Sequence, residues 1–249
     1  MIRILHGPGD DAAGSIEPLE LLDRAYWVAN PGAQYVRAVM IASADGGAVL
    51  DGRSGGLGNE TDRLLFAVCR AQADVLLVGA STVRVEGYAG ERPRPEVRAV
   101  RRARGLAEAP RIAIVTRDLT VRPDHPVFTD TEVRPLVLTC EDAPDGRLAE
   151  LAEVADVVVA GADRVDIDRA LDELRARGMS RVSCEGGPQL LGQLVAAGRL
   201  DELALTLAPR LVGGDAQRIT AGPAVRPPQH LHLHQVLADE DYLFLRYTR

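Results

Sequence analysis

Arg181-Val182-Ser183-Cys184-Glu185-Gly186-Gly187-Pro188-Gln189-Leu190 is the stretch on which the reading of this chain turns. An apolar run bends at Glu-Gly-Gly and continues as an amphipathic helix with Leu190, Leu191, Leu194 and Val195 on one side. Glycines at a strand-to-helix bend let a ligand approach the backbone. The helix start beyond them offers free N–H groups and partial positive charge, a seat for phosphate. Pro188 suits a first-turn position, which needs no N–H. A lone Gly-Gly also serves as a plain connection, so the flanking sequence has to decide.

The same shape recurs earlier. Residues 74–79 form a continuous apolar strand that ends in a small-residue turn, Gly79-Ala80-Ser81-Thr82-Val83. Before it, a β-rich run over 35–42 ends in Ser43-Ala44-Asp45-Gly46-Gly47, with Asp51-Gly52 and Gly55-Gly56 close behind, a loop suited to folding over something. Asp45 reads either as a turn residue or as a ligand contact. Asn59 can cap a helix over 60–73 with Leu64, Leu65, Val68 and Ala71 inward. Asp62 in its first turn either complements the helix dipole or faces a ligand. Further strands fall at 111–116, followed by Arg117, and at 135–140, 156–160 and 201–207. Helices are expected at 148–155 and at 167–177, the latter closed by Gly178. The end alternates through Leu231, Leu233, Leu243, Leu245 and Tyr247 about Asp239-Glu240-Asp241, the pattern of a hairpin.

Helices alternating with apolar strands predict an α/β fold, a mainly parallel sheet flanked by helices with an antiparallel C-terminal hairpin. Ligands in such sheets bind beyond the carboxyl ends of the strands, so the ends at Asp45, Gly79 and Gly186 should meet at one cleft. Residues 1–33 read as a lead-in with a helix over 16–28, stopped by Asn30-Pro31-Gly32, and 34–249 as a single domain.

At 249 residues and 46% hydrophobic content, the chain can bury a sizeable core. A formal net charge of −7 gives no general attraction to nucleic acid or anionic membrane. No apolar run reaches the length of a membrane span and the start lacks a signal-peptide pattern, so a cytoplasmic protein is expected. Cys69, Cys140 and Cys184 sit in apolar contexts and read as small core residues in a reducing compartment. The chain has no lysine, which excludes Schiff-base chemistry and a Walker-type phosphate lysine. The arginine-rich insert over 84–104 reads as a solvated, mobile helix or as a phosphate-gripping arm. His230, His232 and His234 share a strand face but lack accompanying ligands in a recognised metal spacing, so no metal is expected.

Taken together, Ser43-Ala44-Asp45-Gly46-Gly47-Ala48, Ser54, the run from Leu65 through Arg70 to Val83, the Glu185 to Leu190 stretch, Leu200-Asp201-Glu202-Leu203 and Pro209 resemble the reductase domain of riboflavin biosynthesis. That family has a dihydrofolate-reductase-like fold, and the likeness spans residues 34–249. It implies an NADPH-dependent reductase of a small heterocycle, such as a ribosylaminopyrimidine phosphate, acting as a homodimer. By the same resemblance, Gly79, Ala80, Ser81 and Thr82 hold the cofactor from one side and Glu185, Gly186, Gly187, Pro188, Gln189 and Leu190 from the other. Thr116 and Arg117 match the place of the adenosine 2′-phosphate. Asp45 and Asp62 are the candidate catalytic acids and, with Ser54 and Arg70, the candidate substrate contacts. Two departures fall on the substrate side: Gly47 stands where relatives carry a basic residue, and Val85-Glu86-Gly87-Tyr88 where they read Asp-Asp-Pro. The zinc deaminase signature of the bifunctional enzymes is absent, which implies a stand-alone reductase. A pteridine reductase on the same fold and a non-catalytic nucleotide-binding regulator are the alternatives.

Overall fold

Runs of Val, Leu and Ile flanked by turn residues set the strands of this protein. The computed structural model describes residues 2–7, 17–29 and 34–249. Through them the chain forms β1 (Arg3–His6), α1 (Pro18–Tyr26), β2 (Tyr35–Ser43), α2 (Glu60–Ala71), β3 (Val75–Gly79), α3 (Ala80–Glu86), α4 (Pro95–Ala103), β4 (Arg111–Val115) and α5 (Pro126–Thr129). It continues as β5 (Leu136–Thr139), α6 (Asp145–Ala152), β6 (Asp156–Val159), α7 (Ile167–Ala176), β7 (Arg181–Cys184), α8 (Pro188–Ala196), β8 (Glu202–Ala208), β9 (His232–Asp239) and β10 (Tyr242–Thr248). Among the described residues one ten-stranded sheet takes the order β1-β9-β10-β8-β2-β7-β3-β4-β5-β6. The seven strands from β8 to β6 run parallel, and β8, β10, β9 and β1 pair antiparallel. The expected α/β architecture and its C-terminal hairpin are thus present.

The central strands are apolar at consecutive positions because helices cover both faces: Val75, Leu76, Leu77 and Val78 are all fully buried. The side chains of β3 alternate between a cluster beneath α7 and α8 and a second cluster on the opposite face with Val83, Val127 and Leu151. A third cluster joins α1 and α2 to Ala204, Leu237 and Phe244. Asn59 caps α2 as its sequence suggests, accepting from the Asp62 N–H at 2.8 Å.

Three features differ from expectation. The hairpin buries Tyr242, Phe244 and Arg246, while the apolar residues that announced it, Leu243, Leu245 and Tyr247, are half-exposed on the other face. The arginine-rich insert carries α4, but Arg101 on it is buried and donates to the carbonyls of Ala71 (2.9 Å) and Ala73 (2.8 Å) at the end of α2. Residues before 34 add an edge strand, β1, that their Gly- and Asp-rich composition hides; the Asn30-Pro31-Gly32 stop lies outside the described residues.

A buried charge cluster fastens α1 to the sheet. Glu202, whose side chain is fully buried, accepts from Arg37 Nε, from Arg246 Nε at 2.8 Å and from the Tyr35 hydroxyl at 2.6 Å. The two arginines donate onward to the Tyr26 and Ala25 carbonyls at the C-terminus of α1, groups with no partner inside the helix. Burial alone would raise the Glu202 carboxyl, but Arg37 and Arg246 outweigh it and hold it below its ordinary range. Its contribution to stability is therefore full above the pKa of an unfolded glutamate and is lost as pH falls through the lowered folded value. Glu202→Gln strands two buried cations and should lower the unfolding free energy by about 3 kcal/mol, read as a lower urea midpoint.

Candidate active site

Strand register brings the two glycine bends together. In the β3–β7 pair Leu77 lies opposite Cys184, so both strands end at the same edge. Glu185 N–H donates to Leu77 O at 3.0 Å, and Gly79 N–H donates to Gly186 O at 2.8 Å. A Cβ on Gly187 would lie 2.8 Å from Thr82 Oγ1. Glycine is needed at 187 because the α3 bend occupies the space a side chain would take.

Between these bends, α2 and the middle of β2 opens a cleft of about 820 Å³. Ser54, Asp62, Arg70, Ser81, Thr82, Glu185, Gly186, Gly187 and Pro188 all line it. Gly79 lies directly behind, tied to Gly186. Ala80 and Leu190 are buried beneath the bends, and Gln189 is exposed to one side. Thr116 and Arg117 do not line the cleft. They follow Val115, which pairs with Gly79, so they stand beside the α3 bend at the same sheet edge. Thr116 Oγ1 accepts from Leu119 N–H at 3.0 Å, and the Arg117 side chain is exposed.

Two expected substrate contacts are otherwise engaged. Asp45 lies outside the cleft: its carboxylate accepts from Ser43 Oγ, from Gly213 N–H at 2.7 Å and from Val212 N–H. These bonds hold its carboxyl down to about 2. Asp45 thus anchors the segment whose residues Asp215, Ala216, Gln217 and Ile219 wall the cleft. Arg70 faces the cleft but is bound on both sides by Glu185 and Glu91. Its charge is already offset by those two carboxylates.

Asp62 differs from both. Burial pushes its carboxyl up, opposed by a hydrogen bond with Thr206 and by the Arg63 charge. Phe66 stands one turn further along α2 and Arg70 two turns, an i, i+4, i+8 stripe that all lines the cleft. That spacing is legible in the sequence, but an inward face assigned from Leu64, Leu65, Val68 and Ala71 leaves Phe66 out. Glu86 and Tyr88, in the segment already noted as departing from relatives, line the cleft too, whereas Met40 and Gln217 carry no sequence signal. Met40 is hidden in an apolar strand, and Gln217 is brought in by a distant segment, its carbonyl accepting from Ala48 N–H at 2.6 Å. Gly47 is explained by packing: a Cβ there would collide with Val212 Cγ2. Among the described residues no group of acidic, His and Cys side chains could hold a metal, and no helix is long and apolar enough to cross a membrane.

The fold and cleft define an α/β protein with an open cleft between two glycine bends at the carboxyl edge of a parallel sheet. The family model described as the RibD C-terminal domain matches residues 34–243, and the chain belongs to that family. The 2,5-diamino-6-ribosylamino-4(3H)-pyrimidinone 5′-phosphate reductase of Methanothermobacter thermautotrophicus is 32% identical over 186 residues, 74% of this chain and 79% of that one. A pyrimidine reductase-like protein of Corynebacterium diphtheriae superposes with TM-score 0.81 at 28% identity, covering 94% of this chain and 98% of that one. The riboflavin biosynthesis reductase of Saccharomyces cerevisiae shares the fold, with TM-score 0.67 at 17% identity over 93% of this chain and 99% of that one.

Asp45→Ala should free the wall segment. Limited trypsin digestion should cut at Arg210 or Arg218 at least about tenfold faster than in the parent, as local opening outruns global unfolding.

Proposed function

We propose that this protein is an NADPH-dependent reductase of a ribosylaminopyrimidine 5′-phosphate, as in riboflavin biosynthesis. The observation that carries the reading is the contact of the Gly187 and Thr82 bends at one cleft, in a chain of this family. The cleft that opens beside the two bends, lined by Ser81, Thr82, Gly186 and Gly187, suits a dinucleotide pyrophosphate. The hydroxyls of Ser81 and Thr82 would meet it from one side, and the Gly186-Gly187 backbone with the first turn of α8 from the other. Arg117, exposed and 4.0 Å from Asp118, would take the adenosine 2′-phosphate and favour NADPH over NADH.

Bound there, the dinucleotide supplies the hydride. The chain's part is alignment, exclusion of water and handling of the proton. Val39, Met40, Ile41 and Phe66 give the cleft an apolar floor. Asp62, with its raised pKa, would hold a proton or bind an amino group of the heterocycle. Three buried free cysteines fit a reducing, cytoplasmic setting.

A second reading, reduction of a dihydropteridine, rests on one observation. Asp62 and Phe66 offer a carboxyl and an aromatic face one helical turn apart, a pairing suited to a flat, nitrogen-rich ring. Both readings are tested by loss of reduced-nicotinamide absorbance with each substrate in turn. Oxidation with the pyrimidine phosphate supports the first and with dihydrofolate the second; binding of NADPH without oxidation of either supports a regulator. Asp62→Asn should lower kcat by at least about tenfold while leaving NADPH affinity intact. Because the Asp62 pKa is raised in the folded state, its ionised form opposes folding. The same variant should therefore melt higher than the parent at pH 8 and show no such gain at pH 4.

We also propose a homodimer. On the sheet face opposite α1 and α2, Leu243, Leu245 and Tyr247 of β10 pair with Leu207, Leu205 and Leu203 of β8, all half-exposed, with Leu233 more exposed beside them. A two-fold pairing of this face would cover it. Light scattering after gel filtration should give twice the chain mass, and Leu245→Arg should give a folded monomer; a monomeric parent protein would overturn the proposal.

A further inference from the structure

The Arg70 guanidinium is committed on several sides. Nε and Nη2 donate to the two oxygens of Glu185 at 2.7 and 2.6 Å, and Nη1 donates to Glu91 Oε1 at 2.5 Å. The rings of Phe66 and Tyr88 flank it, with centroids at 4.3 and 5.2 Å. Tyr88 closes the arrangement by donating its hydroxyl to Glu185 Oε2 at 2.8 Å. Burial and the neighbouring Glu185 charge hold the Tyr88 phenol well above its ordinary pKa, so it stays a donor. The Glu185 side chain is fully buried.

Two carboxylates face one guanidinium, so the Arg70 charge is fully offset within the cluster and leaves no free cation there for an incoming phosphate. Its members sit next to the backbone that shapes the cleft. Glu185 immediately precedes the Gly186-Gly187 bend. Tyr88 follows the helix that bears Ser81 and Thr82, with only Gly87 between, and Arg70 lies two turns beyond Asp62 on α2. One guanidinium therefore ties the β7 bend, the segment after α3 and the substrate-side helix together.

We infer that Arg70 is a positioning residue for the cofactor seat: acting through Glu185 and Tyr88, it fixes the Gly186-Gly187 bend against Ser81 and Thr82, and it does not hold the anionic group of the substrate. The inference rests on the cofactor placement proposed above. Bidentate pairing fixes the orientation of the Glu185 carboxylate as well as its distance, which a single ammonium could not do. Without Arg70, Glu185 keeps only the Tyr88 hydroxyl and must turn toward water in the cleft, taking the following glycine with it.

The test is titration of purified Arg70→Met, Arg70→Lys and Tyr88→Phe with NADPH alone, followed by steady-state kinetics with the pyrimidine phosphate. Arg70→Met should weaken NADPH binding at least about tenfold, Arg70→Lys should recover part of that loss, and Tyr88→Phe should weaken it about threefold. KM for the pyrimidine phosphate at saturating NADPH should stay within about twofold in all three. Unchanged NADPH affinity with a KM raised about tenfold in Arg70→Met would instead make Arg70 a substrate ligand and overturn the inference. If Arg70→Met does not fold, Tyr88→Phe decides, and parental NADPH affinity in that variant overturns the clamp. A parent protein that fails to bind NADPH overturns the cofactor reading itself, and this inference with it.

Discussion

The backbone contact between the bend after β7 and the bend after β3 is the constraint on which the rest of the site depends. It exists because β3 and β7 are parallel neighbours that end in register and because residue 187 has no side chain. Parallel strands put both turns at the same edge, and helices on both faces keep that edge from shifting. The Gly79 N–H to Gly186 O bond then sews the bends together, so a ligand meets two rows of backbone and hydroxyl groups held at fixed separation. A site made largely of main chain needs little from side-chain identity.

Because every fixed cation here is an arginine, the chain repeatedly uses guanidinium groups to finish helices. Arg101 donates to carbonyls at the end of α2, Arg37 and Arg246 serve α1, and Arg134 donates to the Ala152, Glu153 and Ala155 carbonyls at the end of α6. One guanidinium has five N–H donors in a plane and can satisfy several carbonyls that a helix leaves unpaired, where an ammonium acts as a point charge. The positive charge also sits at the negative end of the helix dipole. The arginine-rich insert is accordingly attached at Arg101 and through the Arg98 pairs with Glu108 and Glu132, and among its arginines none lines the cleft.

The strand and helix pattern was readable because each element signals locally. Apolar continuity marked β3 to β5, the Asn59 cap marked α2, and Gly-Gly-Pro marked the start of α8. Ser81, Thr82, Gly186 and Gly187 were legible for the same reason, since the bends that carry them are local. What escaped was non-local. Asp45 is bound to Val212 and Gly213 across 167 and 168 residues, and Arg70 to Glu185 across 115, and periodicity carries no sign of either pairing. The hairpin face was also ambiguous. Both faces of β10 carry apolar residues, and Arg246 is buried only because Glu202 waits beneath it.

The side of the cleft bounded by α2 and the glycine-rich loop is built under different rules from the side formed by the two bends. Where a side chain after Gly46 would enter, Val212 already fills the space, and Val212 is held there by the Asp45 carboxylate. The glycine at 47 and the Asp45 tether therefore belong to one packing arrangement. Glu86 is likewise engaged, accepting from the Ser54 N–H at 2.8 Å and joining the glycine-rich loop to the end of α3. Arg70, Glu86 and Glu185, which line the cleft, are thus spent on holding loops and bends in place. Asp62 differs from them, a carboxyl whose burial opposes its ionisation and whose neighbours relieve that only in part. A fold tolerates such a group at a cost in stability, and a buried carboxyl held in a cleft at that cost is the kind of group that functional sites collect.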